Sequence, residues 1–154
     1  MNSNLETTTP LNEHRIAVCN GLLRGELSAV ETYGQAIEKY AGSPVTEELR
    51  RIRSDHSRSA TWLSANVREM GGIPEKDSGA WGLFATAVQG AANLFGQDSA
   101  IESLQRGEEA GRKDYQHALL DDDVMTDCKL MIREDLLPPI IEHIASLDKL
   151  EHVV

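Results

Sequence analysis

The chain has 154 residues, of which 40% are hydrophobic and 26% charged, and it carries a net charge of −10. That length suits one domain with its own core, and the excess of acid makes a phosphate backbone a poor partner, so nucleic acid is not expected. No apolar run approaches the roughly 20 residues of a membrane span, no basic-then-apolar leader opens the chain, and Cys19 and Cys128 have neither disulfide-framework nor zinc spacing, so buried free thiols and a cytoplasmic location are expected.

Residues 1–8 are polar and are expected to be loose, ahead of a single domain over 9–154. Thr9-Pro10 reads as the N-cap and first residue of a helix over about 10–40. Its stripe Ile16, Cys19, Leu23, Glu26, Val30, Tyr33, Ile37, Tyr40 steps by threes and fours, as an inward bundle seam does. Ser43-Pro44 is expected to open a second helix over about 44–70 in the same way, with the stripe Val45, Leu49, Ile52, His56, Ser59, Leu63, Val67. Gly71-Gly72 ends it. The connection between the two is short, which predicts an antiparallel hairpin. Arg50, Arg51, Arg53 and Arg58 read as a solvated face paired with acids.

The stretch Trp81 to Phe95 has few charges and is broken by Gly82 and Gly90. It reads as a short helix over about 80–95 in a long crossover, with an apolar face left for a second copy, hence a homodimer. A membrane-surface helix would need Lys or Arg on its polar face, and it has none. Asp98 or Ser99 is expected to cap a third helix over about 99–120 with the stripe Ile101, Leu104, Glu108, Gly111, Tyr115, Ala118. The turn Asp121-Asp122-Asp123 leads to a fourth over about 126–151. Pro138-Pro139 deletes two backbone donors within it, which predicts a kink or bulge before the stripe resumes at Ile140, His143, Leu147 and Leu150.

The two hairpins echo each other. Arg24-Gly25-Glu26 is followed by Tyr33 and Ala36, and Arg106-Gly107-Glu108 by Tyr115 and Ala118 at the same offsets; Asp55-His56 parallels Glu142-His143. A glycine within a helix costs about 1 kcal/mol, so Gly25 and Gly107 suggest close helix approach.

Glu26, His56, Glu108 and His143 each stand in an apolar stripe, where an unpaired charge would be costly. Two carboxylates and two imidazoles on four helices suit iron, manganese or zinc, with Asp55, Glu142, Tyr33 and Tyr115 as surrounding partners. Without a metal, the same residues could pair into a buried hydrogen-bonded network. Counted from the helix ends, Glu26 and His56 differ in level by about 3 Å, whereas Glu108 and His143 are offset by roughly 7 Å. No phosphate-binding glycine loop and no nucleophile triad stands in a fitting context, so no catalytic residue is assigned.

LRGELSAVETY (23–33), SGAWG (78–82), RGEEAGRKDY (106–115) and IREDLLPPIIEHIASLD (132–148) resemble a bacterial family of ferritin-like four-helix bundles known as a domain of unknown function, from Leu11 to Leu150. The resemblance implies an antiparallel bundle with one long crossover and no established reaction. More distantly, rubrerythrin-like and bacterioferritin-like proteins also have a glutamate followed seven residues on by tyrosine, as in Glu26/Tyr33 and Glu108/Tyr115. Their Glu-x-x-His is missing, since His56-Ser-Arg-Ser59 and His143-Ile-Ala-Ser146 lack the second carboxylate. Two functional expectations follow: a non-catalytic or self-associating bundle without a full di-iron centre, or a metal-binding bundle with a reduced Glu/His site and a redox or oxidative-stress role.

Overall fold

A computed structural model describes residues 9–78 and 100–153. The expectations for residues 1–8, the Asp98 or Ser99 cap, the crossover helix over 80–95 and the dimer contact through 81–95 lie outside these residues. Among the described residues the fold is all-α, without strands, and four helices pack together: α1 (Pro10–Lys39), α2 (Thr46–Glu69), α3 (Ala100–Leu120) and a fourth that runs as α4 (Thr126–Met131), a π-helical turn (Ile132–Leu136) and α5 (Leu137–Glu151). None of these helices is long and apolar enough to cross a membrane.

Local chemistry sets the ends. Thr9 caps α1 by accepting from Asn12 N at 3.2 Å, and Pro10 takes the first helical position, where its missing N–H is no loss. The second helix starts later than Ser43-Pro44 suggests. Ser43 N bonds Tyr40 O and Thr46 N bonds Ser43 O, so Ser43 to Thr46 are used by the turn that redirects the chain. Gly42 and Gly71, both at φ 83°, make the reversals that end α1 and α2. After Gly71 the chain turns back along α1. Asn20 holds Ile73 O and Glu75 N, Arg24 pairs with Glu75 at 3.0 Å, and Ser78 donates to Glu31 at 2.7 Å.

The second hairpin is less regular for a reason written in its spacing. The buried residues Val124, Cys128, Ile132, Leu136 and Ile140 follow one another in steps of four. In an α-helix each such step overshoots a full turn by about 40°, so the stripe would wind off the core. The π turn, with its wider i→i+5 closure, absorbs the drift. Leu137 alone separates it from Pro138 and Pro139, the second and third residues of α5, so the expected bulge appears in the turn that leads into them.

Two apolar clusters fill the interior. One holds Leu23, Leu63, Val67, Ala118, Cys128, Ile132 and Leu136 with their neighbours; the other holds Ala36, Val45, Leu49, Ile52, Ile101, Leu104 and Leu147. Between them, each helix seam carries one buried titratable side chain of carboxylate or imidazole type, Glu26, His56, Glu108 or His143. Cys19 and Cys128 are buried free thiols, and burial pushes Cys19 up to about 12.

The repeat glycines do not mark close approach. Among the described residues a Cβ built at Gly25 or Gly107 meets nothing within 4 Å, whereas one at Gly72 would stand 2.7 Å from Cγ2 of Ile16. Gly25→Ala and Gly107→Ala should therefore each raise unfolding stability, by up to about 1 kcal/mol, and Gly72→Ala should lower it. Urea melts check this, and a loss at Gly25 or Gly107 would restore the close-approach reading.

Candidate functional site

Each of the four helices delivers one polar side chain to a common level. Glu26 (α1) and His56 (α2) meet at 2.6 Å, Oε2 to Nδ1, and Nε2 of His56 lies 2.7 Å from Oε1 of Glu108 on α3. His143 (α5) brings Nδ1 to 3.4 Å from the Glu108 carboxylate and Nε2 to 2.8 Å from Oδ2 of Asp55 on α2. The two imidazole centroids are 4.9 Å apart. The roughly 7 Å offset expected between Glu108 and His143 is not found. That count assumed uninterrupted helices, and the fourth helix is broken by the π turn before His143.

The tyrosines complete the cluster by exchange. Tyr33, seven residues after Glu26, donates its hydroxyl to Glu108 at 2.6 Å; Tyr115, seven residues after Glu108, donates to Glu26 at 2.5 Å. Each hairpin thus supplies the phenol that satisfies the other's carboxylate. This reciprocity gives the Glu–Tyr repeat a physical role that spacing alone does not reveal, since spacing places residues on a face but does not say which helix that face meets.

Electrostatics follow from this geometry. Burial disfavours charge on His56, but its hydrogen bonds to two carboxylates and their negative charge outweigh it, and its pKa is raised to about 10. Burial likewise opposes ionisation of Glu108, yet His143 and His56 hold its carboxyl down at about 2. Burial and the adjacent carboxylates push both tyrosine hydroxyls well above their ordinary range, so they remain donors. Every buried polar side-chain atom of the cluster has a partner; among the described residues only Nε of Arg112 lacks one.

The outer edge of the cluster is held by Arg51. Its guanidinium contacts Glu48, Asp55 and Glu142, the last across the helix interface at 2.7 Å, and Ser146 also donates to Glu142. Glu142 therefore stands on the rim rather than at the centre, whereas Asp55 backs His143. The sequence reading of Arg51 as one of several solvated arginines misses this bridge; its place four residues before Asp55, beside the His56 seam, is the signal that could have found it. Arg50 and Arg58 do pair with acids on their own helix.

Two overlapping groups could hold a metal ion: His56, Glu108 and His143, all buried, and Asp55, Glu142 and His143 at the rim, with ligand atoms of each group within 4.8 Å of one another. A third, His14, Asp121 and Asp123, lies at the surface, with Asp121 partly buried. On the α1–α3 side the cluster borders a cavity of about 130 Å³, whose lining includes Glu26, Tyr33, His56, Glu108 and Tyr115.

Residues 15–121 match the family model described as Domain of unknown function (DUF2383). The chain belongs to this family. The matched region takes in Glu26, Tyr33, His56, Glu108 and Tyr115 and stops before His143. Comparison with curated proteins and with solved structures finds no match.

The network itself is testable in this DUF2383 protein. Tyr33→Phe and Tyr115→Phe each remove a donor from a buried carboxylate and should each cost about 1.5–3 kcal/mol. Because both phenols act on carboxylates joined through His56, the double variant should depart from the sum of the singles by more than about 0.5 kcal/mol. Strict additivity in urea melts would mean that the two halves are independent.

Proposed function

We propose that this chain is a metal-binding bundle of the ferritin-like kind, holding one divalent first-row ion, iron, manganese or zinc, between His56, Glu108 and His143. The observation that carries the reading is the buried convergence of two imidazole nitrogens and a carboxylate, with ligand atoms within 4.8 Å of one another. Two histidines and one carboxylate form a donor set that suits such ions and leaves coordination positions open. The surroundings suit it as well. Glu26 faces the far nitrogen of His56 and Asp55 the far nitrogen of His143, the carboxylate–histidine arrangement that fixes the tautomer and raises ligand basicity. Glu26 thereby becomes an orienting group rather than a fourth ligand. Bound there, an ion would supply Lewis-acid or redox chemistry, while Tyr33 holds the Glu108 carboxylate by its hydroxyl.

A second reading is favoured by one observation: the network is fully paired as it stands. On that reading the Glu–His–Tyr layer fixes helix register and the protein is non-catalytic. The two readings differ in a simple measurement. Protein purified without chelator or affinity metal should contain close to one equivalent of a first-row ion, or bind it on addition of Fe²⁺, Mn²⁺ or Zn²⁺. At a hundredfold excess over Kd the melting temperature should rise by on the order of 5–10 °C. Glu108→Ala or His143→Ala should abolish the rise, and Glu26→Ala should weaken affinity by roughly 10–100-fold. A melt indifferent to every ion, from protein without co-purified metal, would leave the structural network alone standing.

A further inference from the structure

The cavity beside the cluster is not explained by packing. It lies between α1 and α3, and its lining includes Gly25, Gly107 and Gly111. None of the three adopts a positive φ, and among the described residues a Cβ at any of them meets nothing within 4 Å. Glycine inside a helix is unfavourable, and here neither backbone conformation nor helix approach requires it. What three bare positions on facing helices do provide is room, about 130 Å³ of it. An engineered cavity of roughly 150 Å³ in another protein is large enough for benzene.

We propose that this cavity binds a small uncharged organic molecule, up to about the size of a single six-membered ring, with one polar group directed at the Glu26–His56–Glu108 cluster. The inference deepens the metal reading, on which it rests for an ion beside the bound molecule, by naming the class of compound that site would meet. Three features define the class. The walls, including Leu22, Leu104 and Ile140, are apolar and favour a hydrocarbon body. The polar side is formed with the carboxylates of Glu26 and Glu108, whose remaining lone pairs can accept from a hydroxyl. Among the described residues no Lys or Arg lines the cavity, while Glu26, Glu108 and Asp114 do, so a carboxylate or phosphate would meet more negative than positive charge even beside a protonated His56.

The probe is phenol, with benzoate as its anionic counterpart, titrated into the full chain as purified and followed by methyl NMR and calorimetry. Phenol should saturate a single site and shift the methyl signals of Leu22, Leu104 and Ile140, whereas benzoate should leave them unmoved. Gly107→Leu and Gly25→Leu place a side chain in the space and should each weaken phenol binding by about tenfold or more. The methyl shifts in the unaltered protein decide the matter if either variant fails to fold. No phenol binding, shifts at other methyls, or equal binding by wild type and a folded variant would overturn the proposal. Metal content measured on the same samples separates the two readings: an ion without phenol binding overturns the cavity assignment alone, and phenol binding without any ion overturns the metal assignment and leaves the cavity standing.

Discussion

Two acidic side chains, Glu26 and Glu108, sit in the interior of four packed helices, and the rest of the structure is arranged around giving each of them close hydrogen-bond partners there. Removing a carboxylate from water costs several kcal/mol even after relaxation, so neither can be present without close donors. His56 stands between them and bonds both, Tyr33 and Tyr115 each add a hydroxyl, and His143 closes on Glu108 from the fourth helix. Every one of these partners comes from a different helix than the carboxylate it serves. The polar layer therefore fixes the register of all four helices at one level, with an apolar cluster on either side supplying the bulk of the burial energy.

The layer is close to symmetric, and its departures from symmetry carry the functional reading. Glu26 and Glu108, Tyr33 and Tyr115, and His56 and His143 are equivalent under the repeat. Yet His56 spends both nitrogens on the two glutamates, whereas His143 faces Glu108 more loosely and turns its other nitrogen to Asp55. Glu142, the counterpart of Asp55, is drawn instead to Arg51 at the rim. One imidazole is thus tightly bridged and the other backed by an aspartate, with Glu108 between them. These three side chains are the ones the proposed ion would share, and the glycine-lined cavity reaches two of them, His56 and Glu108.

Much of this was legible in the chain, and the gaps have physical causes. The α2 seam from Val45 to Val67 and the Thr9-Pro10 start were readable because burial in an α-helix follows a fixed period and the cap chemistry is local. The interruptions at Glu26, His56, Glu108 and His143 were visible for the same reason. Hidden were features that depend on which helix faces which. These include the crossed Tyr33–Glu108 and Tyr115–Glu26 bonds, the reach of Asp55 to His143 and the span of Arg51 to Glu142. The π turn was foreshadowed by Pro138-Pro139, but its effect on the level of His143 could not be counted along an ideal helix. The glycines misled because bareness serves either contact or space, and sequence alone does not distinguish the two.

The central claim is that the polar layer is a metal site built on His56, Glu108 and His143. Anomalous diffraction from crystals grown with Mn²⁺ or Zn²⁺, collected on either side of the absorption edge, tests it most directly. The account predicts a single strong peak inside the four helices, about 2.0–2.2 Å from a nitrogen of each imidazole and from an oxygen of Glu108, with Glu26 still against the far nitrogen of His56. An interior without a peak, or a peak only among the surface side chains of His14, Asp121 and Asp123, would contradict it.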